Sequence, residues 1–203
     1  GDEDALRLVR ARGIEMAKSA ALSPAGMSAV LGGDREVVLK KLEELKLVAA
    51  NDNGGGQIVA AGDLASLAAL SENPPEGARV RVLAVAGAFH TPFMASAVEP
   101  LRALAATIST APTTISVISN KDGEVVTDGA QVLTRIVNQI ANPVRWDLCM
   151  ETMKKLGITG VIELPPAGTL VGLLKRGAPE IETFALKSAD DVSAAKEFAG
   201  RHA

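Results

Sequence analysis

Histidine is the side chain best suited to proton transfer near neutrality, and this chain has two, His90 and His202. His202 stands one residue from the C-terminus, where order is least expected. His90 lies in Gly87-Ala88-Phe89-His90-Thr91-Pro92-Phe93-Met94. This stretch falls between a run rich in strand formers, Arg81-Val82-Leu83-Ala84-Val85, and a long helical pattern starting near Pro92. A strand, a turn and a helix N-terminus give a reactive side chain a fixed backbone and an open face. A packed or solvent-facing loop histidine fits the same residues. A second group of interest is an arginine on residues 2–20, where Leu6, Val9, Gly13, Met16, Ala17 and Ala20 recur at helical spacing. Arg10 and Arg12 fall on opposite margins of that stripe, and Arg7 and Lys18 point away from it. A margin arginine lays its stem on the core and leaves its head in water. Periodicity does not choose between Arg10 and Arg12.

The elements that must position these groups are readable from pattern. Asp2-Glu3-Asp4 supplies an N-cap and an acidic first turn for the helix over 2–20. A strand at 27–31, a helix capped by Asp34, strands at 48–53 and 57–61, a helix capped by Asp63 and a strand at 78–85 follow. The order is βαββαβ, the ferredoxin-like unit. Gly54-Gly55-Gly56 joins its middle strands and is expected to be a mobile hairpin tip rather than a phosphate nest. Beyond His90, helices over 92–108, 130–140, 146–156 and 190–200 alternate with strands at 115–118, 160–164 and 181–186. Such alternation implies a parallel α/β sheet covered on both faces. Pro165-Pro166-Ala167-Gly168-Thr169-Leu170 opens one more helix. Two prolines remove two N–H donors there, so it reads as a structural turn and not as an anion site. Lys175 and Arg176 could meet phosphates, though basic residues at a helix end are commonly solvated or paired with its dipole. The fold expected is α/β: a partial parallel-sheet large subdomain, residues 1–24 and 86–203, with a ferredoxin-like small subdomain inserted at 25–85.

Composition excludes several function classes. The chain has 203 residues, 47% of them hydrophobic, enough for a core in one domain or two small ones. A net charge of -3 argues against phosphate-driven nucleic-acid binding, and 2% aromatics with no tyrosine argue against base stacking. One cysteine, Cys149, allows no internal disulfide, and with two histidines no zinc cluster is expected. No metal or resident cofactor is foreseen. No apolar run is long enough to span a bilayer, and the acidic start is no signal peptide, so a cytoplasmic protein is expected. Gly1 leads directly into a helix, as in a chain that has been cut.

GAFHTPFM resembles the active-site histidine segment of the malonyl-CoA:acyl carrier protein transacylases and the acyltransferase domains of polyketide synthases. Leu8-Val9-Arg10-Ala11-Arg12-Gly13, Asn51-Asp52-Asn53 with Gly56-Gln57-Ile58-Val59, and Asn138-Gln139-Ile140-Ala141-Asn142-Pro143-Val144-Arg145-Trp146 resemble further segments of that family, in the same order. Pro165-Pro166-Ala167-Gly168 departs from the family's usual GPG. The resemblance covers essentially the whole chain but only roughly the last two-thirds of a family member, and implies an α/β-hydrolase-like large subdomain.

It also implies a two-step acyl transfer from malonyl-CoA, through a malonyl-serine ester, to the phosphopantetheine thiol of acyl carrier protein, in fatty acid or polyketide biosynthesis. His90 would be the general base, and Gln139 would offer the main-chain carbonyl that orients its ring. Arg12, just before the glycine, would clamp the malonyl carboxylate. Phe89 would crowd the carbon between the two carbonyls and favour malonyl over methylmalonyl, and Asn53 would reach the substrate. Trp146 is expected to pack in the core. The family's nucleophilic serine sits in a GxSxG elbow, and no serine here has that context. The chain is therefore expected to be inactive alone and to act with a missing N-terminal segment of the same enzyme. A reading from another class is a non-catalytic ferredoxin-like module binding a carrier protein or partner chain.

Overall fold

In the computed structural model, which describes residues 1–203, eight α-helices and nine strands form a mixed α/β fold. In chain order they are α1 (Asp2–Ala20), β1 (Ala25–Gly32), α2 (Arg35–Glu44), β2 (Val48–Asp52), β3 (Gln57–Asp63), α3 (Leu64–Glu72) and β4 (Ala78–Val82). A 3₁₀ turn, Pro92–Met94, leads into α4 (Ala95–Ala105). Then come β5 (Val117–Ile118), β6 (Val125–Val126), α5 (Gly129–Gln139), β7 (Val144–Arg145), α6 (Trp146–Lys155), β8 (Gly160–Glu163), α7 (Thr169–Gly177), β9 (Glu182–Ala185) and α8 (Val192–Arg201). No helix is long and apolar enough to cross a membrane.

Within residues 25–82 the elements follow one another in the order β-α-β-β-α-β. Asp34 accepts the N–H groups of Glu36 and Val37, and Asp63 that of Ser66, so both aspartates cap their helices. The four strands pair antiparallel in the order β4-β1-β3-β2. Side chains alternate across the sheet. Val30, Ile58 and Ala60 pack on Val38, Leu42, Leu67 and Leu70 of α2 and α3. Met27, Ala50, Val59 and Ala61 face the other way, onto Ala88. A feature the pattern did not reveal is β7, which adds to the sheet edge in parallel with β2, Asn51 opposite Val144. β4 ends at Val82, short of the expected Val85, because the Val85 N–H turns back onto the Leu83 carbonyl.

The expected parallel sheet is represented outside this unit by the β8–β9 pair alone. β5 and β6 form a separate antiparallel pair, and only the last two residues of the run 115–118 are strand.

Helix α1 buries only part of the predicted face: Met16 and Ala20 of that stripe pack inward, and the N-terminal part does not. Leu8, Met16 and Ser19 are buried, whereas Leu6 and Val9 are 70% and 66% exposed. The inward face is turned by about a quarter of a turn from the Leu6–Val9 stripe. The cause is α4: Leu8 and Met16 pack with Met94, Ala97, Leu101 and Ala105, and Ser19 hydrogen-bonds Ser96. Gly1, not an aspartate, stands at the cap, with Asp2-Glu3-Asp4 inside the first turn.

Two further expectations are revised. His202 is held firmly: Nδ1 bonds Thr159 Oγ1 at 2.9 Å and Nε2 meets the Glu182 carboxylate at 3.0 Å. The turn before α7 does bind an anion, and the anion is the chain's own. Glu163 accepts the N–H groups of Gly168, Leu170 and Val171 at 2.8, 2.9 and 2.9 Å. Burial pushes this carboxyl up, but the donors outweigh it and hold it below the usual glutamate range. A lowered folded-state pKa means a contribution present above the unfolded value, about 4.3, and lost as pH falls through the folded one. Glu163→Ala is expected to destabilise the fold by about 1–3 kcal/mol at neutral pH. Urea melts should show that difference at pH 7 and its disappearance toward pH 3.

Candidate active site

The segment carrying His90 is set by its neighbours. Gly87 passes so close to α1 that a Cβ there would lie 2.8 Å from the Ala20 Cβ, which requires glycine. Thr91 is fully buried; its hydroxyl donates to the Ala88 carbonyl at 2.6 Å and accepts the Phe93 N–H, capping the turn. Between these anchors His90 adopts φ 61°, a left-handed conformation uncommon for a residue with a side chain. Such strain persists only where the surroundings impose it. Phe89 is the wedge between layers, packed against both the α1–α4–α5 cluster and the cleft face of the sheet.

The ring of His90 is oriented by one hydrogen bond. Nδ1 lies 2.8 Å from the main-chain oxygen of Gln139. A carbonyl only accepts, so Nδ1 carries the proton and Nε2 keeps its lone pair. Gln139 ends α5, where carbonyls lack helical partners. Its side chain donates to the carbonyls of Asn142 and Pro143 at 2.8 and 2.7 Å, folding the turn back so that its own carbonyl faces His90. Burial lowers the His90 pKa, the Gln139 contact raises it, and the charge of Arg12 lowers it; the result lies below the usual histidine value. His90 is therefore neutral at pH 7 and able to accept a proton at Nε2.

Arg12 is the second charged group here. It is half-buried, its pKa is lowered by burial, and it makes no ion pair. A desolvated guanidinium without a carboxylate is costly unless a ligand supplies the anion. Arg10 is exposed. Arg12, His90, Phe89 and Asn53 all line one cleft of about 600 Å³. The side chain of Gln139 does not line it; only its carbonyl acts, through the ring. Trp146 is both wall and core: it lines the cleft and packs beside Met150 and Leu174.

Other polar residues of the cleft were given no role of their own by the sequence. Asn51 and Gln57 flank Asn53 on the hairpin, and Asn120 comes from the polar turn after β5. The alternation of β2 was the available signal for Asn51, which shares a face with Asn53. Nothing local marked Asn120; its carbonyl accepts the Arg145 N–H at 2.7 Å, a contact between segments far apart in sequence. No group of three metal-ligating side chains is brought together.

Electrostatics give a signed expectation. The charge of Arg12 opposes protonation of His90, so Arg12→Met should raise the His90 pKa. An NMR titration of the ring should show its midpoint moving to higher pH; a midpoint moving lower, or not at all, would separate the two groups electrically.

The chain as a whole is similar to known proteins in sequence and fold. A malonyl CoA-acyl carrier protein transacylase of Mycobacterium tuberculosis is 52% identical over 190 residues, covering 94% of this chain and 63% of the relative. The one from Mycolicibacterium smegmatis is 49% identical over 194 residues, covering 94% and 67%. The crystal structure of MCAT from Mycobacterium tuberculosis superposes with a TM-score of 0.90 at 51% identity, covering 94% of this chain and 63% of that one. The malonyl-CoA:acyl carrier protein transacylase structure from Helicobacter pylori gives 0.89 at 28% identity, covering 100% and 66%. This chain thus spans a little under two-thirds of the length of the Mycobacterium tuberculosis protein. The family model described as the acyl transferase domain matches residues 1–199, and on that match and these identities the chain belongs to the acyl transferase domain family.

Proposed function

We propose that this chain carries the base and the carboxylate clamp of an enzyme that moves a malonyl group from malonyl-CoA to the phosphopantetheine thiol of acyl carrier protein, in fatty acid or polyketide biosynthesis. The observation that carries the reading is one cleft lined by a neutral, oriented His90 and an unpaired, half-buried Arg12. His90 Nε2 takes the proton from a serine hydroxyl as it attacks the thioester carbonyl. The tetrahedral intermediate collapses, the sulfur of CoA leaves as a thiol after receiving that proton, and a malonyl-serine ester remains. In the second half His90 deprotonates the carrier thiol, which takes the acyl group and frees the serine. Arg12 binds the malonyl carboxylate through two parallel hydrogen bonds, and Phe89 narrows the space at the central carbon. Asn53 is a further polar group on the cleft wall.

No serine of residues 1–203 stands in a GxSxG context, so this reading takes the nucleophile from polypeptide outside them. It follows that residues 1–203 alone do not turn over. The antiparallel unit of residues 25–85 is read as the ferredoxin-like small subdomain, and residues 1–24 with 86–203 as part of an α/β-hydrolase-like large one. The test is to incubate the complete native polypeptide with malonyl-CoA and look by mass spectrometry for a malonyl ester on serine that acyl carrier protein removes. Absence of the ester, with the protein folded and malonyl-CoA intact, contradicts the reading.

A further inference from the structure

The glycine hairpin between β2 and β3 is not a free tip. Gly54, Gly55 and Gly56 have φ of 66°, 54° and 74°, and the loop is seated on α6 and the end of α7. A Cβ at Gly54 would come within 2.7 Å of the Met150 Cε, and one at Gly55 within 3.1 Å of the Arg176 Cβ. Backbone bonds from Asn53 N to the Gln57 carbonyl and from Gln57 N to the Gly54 carbonyl, both 3.0 Å, close the loop. From above this seat Arg176 Nη2 donates to Gln57 Oε1 at 3.0 Å.

That contact fixes more than the loop. A guanidinium has only donors, so the side-chain oxygen of Gln57 must face Arg176 and its amide NH2 (Nε2) must point elsewhere. Gln57 lines the cleft that holds Arg12 and His90, whereas Arg176 does not. With Oε1 taken, Gln57 presents donors and not an acceptor to a ligand. An acyl thioester offers carbonyl and carboxylate oxygens, which accept hydrogen bonds, and its sulfur is a poor partner. The carboxamide of an untethered glutamine would sample both orientations, and only one of them is useful.

We propose that Arg176 is a positioning residue that holds the Gln57 amide with its NH2 toward the cleft, where it donates to an oxygen of the acyl-thioester substrate. The inference rests on the transferase reading above. Gln57 touches the substrate; Arg176 acts only through Gln57.

The experiment is a double-mutant cycle in the complete native polypeptide, with kcat and KM measured for malonyl-CoA and folding followed by thermal melting. Arg176→Met is expected to raise KM about 3- to 10-fold with kcat nearly unchanged, the loss of one neutral hydrogen bond made equally in ground and transition states. Gln57→Leu should cost at least as much. Arg176→Met added to Gln57→Leu should cost nothing further, because the clamp has nothing left to hold. Arg176→Lys, which keeps a donor, should recover part of the KM. A merely structural Arg176 would lower the melting temperature equally in both backgrounds and multiply its KM effect; that result overturns the proposal. His90→Ala in the same assay separates the two ideas. If it leaves turnover intact, the transferase reading fails; if it abolishes turnover while the other effects multiply, only the positioning role falls.

Discussion

His90→Ala is expected to lower malonyl transfer by about 10²–10⁴-fold, the usual worth of a positioned general base, with kcat falling and KM little changed. The cleaner variant is His90→Asn. Asparagine tolerates the left-handed backbone that His90 adopts, and its amide can still donate toward the Gln139 carbonyl, but it has no basic nitrogen. Alanine at φ 61° keeps the strain and loses the hydrogen bond to Gln139. Both variants should lose comparable rate, while only the alanine variant should also lose stability. Rate loss confined to the variant that melts early would mean that His90 holds the turn together and does no chemistry. The assay is transfer from malonyl-CoA to acyl carrier protein at neutral pH, in protein shown to be folded.

The second large effect concerns which acyl group is taken. Arg12→Met removes the one half-buried cation of the cleft that lacks a carboxylate partner. On the proposed function this removes two charge-assisted hydrogen bonds to the malonyl carboxylate, so malonyl transfer should fall by about 10²-fold or more. Acetyl groups carry no such carboxylate and gain nothing from Arg12. Their transfer should hold steady or rise, and the ratio of kcat/KM for malonyl over acetyl should collapse. Arg12→Lys keeps the charge but not the planar fork, so it should fall between. Equal losses for malonyl and acetyl would assign Arg12 to the fold or to the His90 environment and not to substrate choice.

How much of this was legible beforehand depends on the kind of contact involved. The antiparallel unit was readable because its signals are local: Asp34 and Asp63 cap their helices, and the strands alternate around a glycine turn. His90 was readable for the same reason, since a strand end, a turn and Pro92 lie within a dozen residues. The inward face of α1 was not. Leu6, Val9 and Met16 share the apolar stripe, yet packing on α4 turns Leu8 inward beside Met16 and leaves Leu6 and Val9 exposed. Tertiary packing overrode the local pattern, and by doing so brought Arg12, not Arg10, to the cleft. Periodicity left those two open, and the family resemblance favoured the one that now lines the site.

The role of Gln139 was carried by resemblance alone, because a main-chain carbonyl leaves no side-chain signature. What the sequence could not show is why a glutamine suits that place: its amide pins the following turn through Asn142 and Pro143. Contacts between distant segments stayed hidden throughout. β7 joining β2 and Arg176 meeting Gln57 each pair residues whose separate surroundings say nothing of the other.

Proton–nitrogen correlation NMR of the His90 ring at neutral pH, without and with malonate, bears most directly on the claim that an oriented neutral imidazole and a guanidinium share one cleft. A proton on Nδ1, a bare Nε2, and ring resonances that shift when malonate is added and fail to shift in Arg12→Met are the expected result. A proton on Nε2 with Nδ1 bare, or a ring indifferent to malonate in the unaltered protein, would contradict it.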